Sequence, residues 1–188
     1  VTKGLDFDHV SVVGILNADT MMNYPDFRAH ERAYQMMAQV AGRAGRKNHR
    51  GTVVLQTSEP NHPLIRQVMD NDYEGMYKTQ LSERKQFSYP PFFRLIYIYM
   101  KHKDEQILNS LSIQYARTLR EVFGERVLGP DNPPVARVQS LYIRKIVLKV
   151  EVNASMIRVK EILRKVYENM LTDGRFKSLI LYYDVDPM

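Results

Sequence analysis

Two consecutive prolines near the middle of the chain, in the pentapeptide SYPPF at 88–92, set the strongest limit on what it can fold into. Each fixes φ and lacks an amide hydrogen, so a helix arriving from the N-terminal side must stop there. The apolar patterns on the two sides are therefore read as separate structures, with the boundary at the prolines.

On the N-terminal side, VSVVGIL at 10–16 is a short continuous apolar run, expected for a strand buried on both faces of a parallel sheet. After a polar segment broken by Pro25, the residues Ala33, Met36, Met37, Val40, Ala41 and Ala44 recur at intervals of three and four, which predicts one apolar helix stripe. Arg32, Gln35, Gln39, Arg43 and Arg46 fall on the opposite side. Gly51 closes that unit, and TVVLQT at 52–57 predicts another strand. Strand, helix, strand is the rhythm of a parallel α/β layer. A further helix is expected over 63–87, up to the prolines.

Beyond the prolines, RLIYIYM (94–100) alternates as a strand. Residues 104–124 are helical in pattern, with Leu108, Leu111, Tyr115, Leu119 and Val122 on one side and Gly124 as the stop. After the proline-rich GPDNPP come VARVQS and YIRKIVLKVEV, two strands able to pair as a hairpin. Ser155 or Asn153 caps a helix whose face carries Val159, Ile162, Leu163, Val166 and Met170 up to Gly174. KSLILYYDVD closes as a strand. The order strand, helix, two strands, helix, strand is the split βαβ arrangement of ferredoxin-like sheets. The expected fold class is α/β: a parallel-sheet layer, then a small α+β domain.

Charge narrows the partners. Lysine and arginine number 27 against 21 acidic residues, a net charge of +6, which favours anions and nucleic acid first among them. The absence of cysteine excludes disulfides and thiolate metal sites, and the five histidines show no ligand spacing, so no metal site is expected in this chain. No apolar run approaches the roughly 18 residues of a membrane span, and no leader pattern precedes the first strand. A cytoplasmic protein is expected. The chain opens at Val1 inside a motif-like stretch, as a piece of a longer protein does.

The densest motif is QVAGRAGR at 39–46. Arg43 and Arg46, three residues apart on one helix face, repel each other unless an anion sits between them. Gly42 and Gly45 let backbone come close. An arginine that reaches a γ-phosphate supplies roughly 10³ to 10⁵ in rate, and planar guanidinium groups grip phosphate oxygens bidentately. The plainer alternative is a solvated basic helix end. In TKGLDF at 2–7, Gly4 permits close approach to a ligand and Asp6 can accept from ribose hydroxyls; the alternative is a charged loop. Further along, Arg137, Arg144, Lys145 and Lys149, with Tyr97, Tyr99 and Tyr142, could form a basic aromatic DNA surface. The alternatives are core tyrosines, lysines that guard a sheet edge, or cations that hold an acidic protein tail. Asp104 and Glu105 after an apolar strand are read as the acidic first turn of a helix.

KGLDF, the strand ending in LNAD, FRAHERAYQMMAQVAGRAGR and GTVVLQT resemble motifs V and VI of superfamily 2 helicases. ERKQFSYPPF, LGPDNPPVARVQSLYIRKIVLKV and the closing DVDP extend the resemblance over essentially the whole chain. The family resembled is that of the bacterial primosomal replication-restart helicases (primosomal protein N′), in its C-terminal part. The resemblance implies the end of a second RecA-like lobe over 1–72, a connecting helix and YPPF linker over 73–92, and a DNA-binding domain of ribosomal-protein-like fold over 93–188. It implies that Arg43 and Arg46 are catalytic arginines facing ATP, that Gly4, Asp6, Gln39 and Gly42 line the nucleotide, and that Thr2 and Lys3 lie toward DNA.

The implied activity is an ATP-dependent three-prime-to-five-prime DNA helicase that recognises abandoned replication forks and leads primosome assembly. Branched and single-stranded DNA, the single-stranded DNA-binding protein and other primosome proteins are its implied partners, and no membrane. The chain contains no GxxxxGK[ST] loop, so ATP with Mg²⁺ is expected to be held mainly by a missing first lobe, and this fragment alone is expected to be inactive. Zinc is expected in an intact family member but not in this stretch. The rival readings are a non-enzymatic nucleic-acid or protein adaptor, and another superfamily 2 helicase.

Overall fold

The chain divides into two units, Val1–Gln86 and Phe87–Met188, with Pro90 and Pro91 inside the second. The structure, a computed structural model, describes residues 10–44 and 51–187.

In the first unit, β1 (Val12–Ile15) and β2 (Thr52–Leu55) pair in parallel, with Val12 beside Thr52 and Ile15 beside Leu55. Between them lie α1 (Ala18–Met22) and α2 (Ala29–Ala41), and after them α3 (Pro63–Met69) and α4 (Tyr73–Gln86). The Asp19 carboxylate fastens the start of α1 to the chain after β2: it accepts from Thr57 Oγ1 at 2.5 Å and from the Ser58 amide at 2.9 Å. These hydrogen bonds, the Ser58 hydroxyl's foremost, hold its pKa below the usual carboxylate value. The core gathers Ile15, Ala18, Met22, Ala33, Tyr34, Met37, Leu64, Ile65 and Met76.

Three features depart from the sequence expectation. The buried stripe of α2 is Ala29, Ala33, Tyr34 and Met37, whereas Met36 is exposed; the pattern is turned because the large Tyr34 ring, not Met36, fills the interior. The strands are not buried on both faces. Only Ile15 of β1 is buried and Val12, Val53 and Val54 are exposed, since the described residues supply a helical layer to one side of a two-stranded sheet. The helix expected over 63–87 is two helices: Asn71 takes a left-handed φ of 54°, and Asp72 Oδ1 accepts from the Gly75 amide at 2.8 Å to start α4. Arg84 Nη2 then meets Glu31 Oε2 at 2.5 Å, joining α4 to α2.

The second unit begins with β3 (Phe93–His102) and α5 (Glu105–Phe123), continues through β4 (Val127–Asp131), β5 (Arg137–Val138), β6 (Leu141–Glu151) and α6 (Met156–Met170), and ends on β7 (Ile180–Val185). The strand order is β4-β6-β3-β7, all pairs antiparallel, with the short β5 added to β6. β3 and β4 thus lie on either side of β6 and are joined through α5, the split βαβ connection. Asp104 is the cap of α5, accepting from the Ile107 amide at 3.0 Å, and Gly124, at φ 59°, ends it. Residues 96, 98 and 100 on β3 and 146, 148 and 150 on β6 face α5 and α6, where Leu108, Leu111, Tyr115, Leu119, Leu163 and Phe176 complete the core.

The sequence hid β4. Its Gly129-Pro130 reads as a breaker, but at a sheet edge a proline's missing amide hydrogen costs no ladder bond. Gly129 has φ 91°, and a Cβ there would meet Lys145 O at 2.8 Å, so the edge needs glycine at this point. Val122 is exposed on α5 and Phe123 takes its place in the core. No helix among the described residues is long and apolar enough to cross a membrane.

Tyr115 is fully buried, its hydroxyl 2.7 Å from that of Tyr183. Burial, then the neighbouring Tyr183, pushes its pKa well above the ordinary 10.0. The folded form keeps a proton that the unfolded chain releases. Stability from this group is therefore complete below pH 10 and falls as pH rises past it, by about 1.4 kcal/mol per pH unit. Denaturant unfolding is expected to approach that slope as pH rises above about 10, and Tyr115→Phe to reduce it.

Candidate functional site

Because α5 and α6 cover one face of the second unit's sheet, the alternate residues lie on the other, where Leu95 and Ile143 are buried and the residues between and beyond them are partly or fully exposed. On β3 these are Tyr97, Tyr99 and Lys101; on β6, Lys145, Val147 and Lys149; on β7, Ile180, Tyr182 and Asp184. The register sets Tyr99 between Lys145 and Tyr182, and Tyr97 between Val147 and Asp184. Leu128 and Asp131 of β4 border the same face beside Val147 and Lys145.

The three tyrosines form a continuous aromatic band. Tyr99 and Tyr182 stack with centroids 5.1 Å apart, and Tyr97 meets Tyr99 edge-on at 6.3 Å. Ammonium groups lie over the ring faces: Lys145 Nζ is 4.5 Å from the Tyr97 centroid and Lys101 Nζ 4.8 Å from that of Tyr182. Partial burial, then Tyr182, raises the Tyr99 pKa. At the end of the face Lys149 Nζ donates to Phe87 O at 2.6 Å and lies 3.9 Å from the Tyr89 centroid; burial lowers its pKa.

Of the cations and rings expected to act together, Tyr97, Tyr99, Lys145 and Lys149 do share this face. Arg144 does not. It is 9% exposed on the helix side, where Nη2 donates to Glu105 Oε1 at 2.8 Å and Nη1 to Ile143 O at 3.1 Å. Period-two alternation separates it from Lys145. Tyr142 also lies on the helix side, with Arg137 over its ring at 4.7 Å. Sequence reasoning missed Lys101 and Tyr182; the alternation YIYMK on β3 carried the first, and only the β3–β7 pairing brings the second beside Tyr99.

In the first unit, Gln39 is exposed near the C-terminal end of α2 and Arg43 is half-buried just beyond it. Gly42 is the C-cap with a right-handed φ of −65°, its amide donating to Ala38 O at 3.0 Å, so no left-handed turn requires glycine there. The Arg43 amide donates to Val40 O at 3.1 Å, continuing the last turn. Thr2, Lys3, Gly4, Asp6, Gly45 and Arg46 lie outside the described residues.

A family model described as the primosomal protein N C-terminal domain matches residues 85–188. Replication restart protein PriA of Bacillus subtilis is 32% identical over 189 residues, which takes in 100% of this chain and 23% of that protein. Its counterpart in Haemophilus influenzae is 34% identical over 191 residues, 100% of this chain and 25% of that protein. The one from Treponema pallidum is 38% identical over 153 residues, 79% of this chain and 23% of that protein. The chain spans about a quarter of the length of the curated relatives it matches.

Proposed function

The chain belongs to the primosomal protein N C-terminal domain family of replication restart proteins, and on that premise we propose that it is the DNA-engaging end of an ATP-dependent three-prime-to-five-prime DNA helicase that restarts replication at abandoned forks. The single observation that carries the DNA reading is the helix-free sheet face, where Lys101 and Lys145 lie among Tyr97, Tyr99 and Tyr182. Cations and aromatic rings on one accessible surface are the means by which proteins hold nucleic acid strands.

The first unit fits the end of a second RecA-like lobe. Its parallel pair of four-residue strands leaves Val12, Val53 and Val54 exposed, an apolar surface that a wider, doubly covered parallel sheet buries. In this reading Gln39, Gly42, Arg43 and Arg46 meet ATP held by another lobe, while Gly4 and Asp6 approach its ribose and Thr2 and Lys3 face the translocated strand. Arg43 and Arg46 stabilise the charge that spreads over the γ-phosphate as it is cleaved. The chain itself has no phosphate loop and no cysteine, so Mg²⁺ with the phosphates, and any thiolate zinc site, belong to other parts of the intact protein. The single-stranded DNA-binding protein and the other primosome proteins remain the proposed partners.

Titration of the chain with forked DNA across salt tests the DNA reading. A negative dependence of log affinity on log salt is expected, and Lys145→Met is expected to reduce the slope by about one. Arg144→Met, which removes a buried guanidinium on the helix side and leaves the half-exposed Glu105 to solvent, is expected to leave the slope unchanged. Binding that ignores salt, or a slope that Arg144 controls and Lys145 does not, overturns the assignment of this face.

A further inference from the structure

Resting on that DNA reading, we propose that the centre of the helix-free face is a stacking platform for unpaired bases, in which each incoming base takes the ring face that a lysine now covers and the lysine turns to the adjacent phosphate. The second unit then selects single-stranded DNA over duplex.

The balance of charge argues for bases at the centre. The register brings Asp131 beside Lys145 and Asp184 beside Tyr97, and Lys149 is already bound to Phe87 O. Among the described residues of this face, Lys101 and Lys145 then stand against the Asp131 and Asp184 carboxylates, a poor track for a continuous phosphate backbone. The aromatic band, by contrast, is unbroken across two strands, and Tyr182 is 40% exposed.

The rings also lie under removable covers. A lysine over a partly exposed ring is held less strongly than a base stacked on it, so the exchange of Lys145 from Tyr97 and of Lys101 from Tyr182 runs toward the bound state. The displaced ammonium loses nothing, because a strand that stacks its bases carries its phosphates within reach. Duplex DNA gains only the phosphate part, since its bases are stacked and paired already. An antiparallel sheet that carries a band of tyrosines on the face away from its helices is suited to splayed bases.

The test compares the full chain's affinity for an oligothymidylate of roughly twelve nucleotides and for a duplex of equal length. Tyr97→Leu and Tyr182→Leu are each expected to weaken single-strand binding about 5- to 100-fold and duplex binding less than about 2-fold. Tyr182→Phe, which keeps the ring, is expected to bind as the parent does and guards against a mere folding defect. A 2-aminopurine placed in the oligonucleotide is expected to be quenched by the parent and by Tyr182→Phe, not by Tyr182→Leu. Single-strand affinity that survives both leucine changes overturns the platform, as does an equal fall for single strand and duplex. If Lys145→Met still lowers the salt slope in those cases, the DNA reading stands and stacking alone fails. If the chain holds no DNA at low salt, or holds only an acidic peptide such as polyglutamate there, both fall.

Discussion

Alanine at Arg43 or Arg46 is expected to lower ATP hydrolysis by the intact protein about 10³-fold or more, with single-strand DNA affinity unchanged. The developing charge on a γ-phosphate is delocalised over three oxygens, and a guanidinium fork answers it with two parallel donors that water cannot hold in place. On the proposed reading the two arginines, three residues apart, act on that phosphate as one unit, and the double variant is expected to lose little more than either single one. Lysine at either position keeps the charge without the fork and is expected to restore only part of the rate. Steady-state hydrolysis at saturating single-stranded DNA, measured beside the DNA dissociation constant, reads the effect. Near parental turnover in both alanine variants removes these arginines from the chemistry and leaves the basic-helix-end reading of 39–46.

Much of the second unit could be read from the chain because its elements obey simple periods. Asp104 and Gly124 bracket α5, Ser155 caps α6, and the alternation along β3 separates a buried set from a projecting one. Where reading failed, a tertiary fact decided. Gly129-Pro130 looks like a breaker until β6 supplies it with an edge to occupy. Lys101 and Tyr182 join the site through a pairing between segments some 80 residues apart, which no local pattern announces. Arg144 illustrates the opposite case: basic and adjacent to Lys145, it reads as part of the same patch, although a strand sends consecutive side chains to opposite faces. In the first unit the α2 stripe turns at Tyr34, whose ring is apolar bulk although its hydroxyl counts as polar in a binary pattern.

The same alternation makes stability and binding separable one residue apart. Ile98 is fully buried at the centre of β3, paired with Ile146 on one side and Tyr183 on the other, beneath α5 and α6. Ile98→Ala is expected to destabilise the second unit by about 2–5 kcal/mol, the lost transfer energy of the removed methyl groups plus the cavity they leave between rigid elements. Tyr97→Leu, on the projecting face, is expected to cost less than about 1 kcal/mol, because its ring rests on the surface rather than in the interior. Amide hydrogen exchange along β3 and β6 reads both costs within the second unit, whatever the first unit does. DNA titration reads the converse: the folded fraction of Ile98→Ala is expected to bind single-stranded DNA as the parent does, whereas Tyr97→Leu is expected to lose that affinity while keeping its protection. Equal protection losses in the two variants contradict the assignment of Tyr97 to a projecting face, and a binding loss in Ile98→Ala that follows the folded fraction no further contradicts the separation of core from interface on which every assignment in the second unit depends.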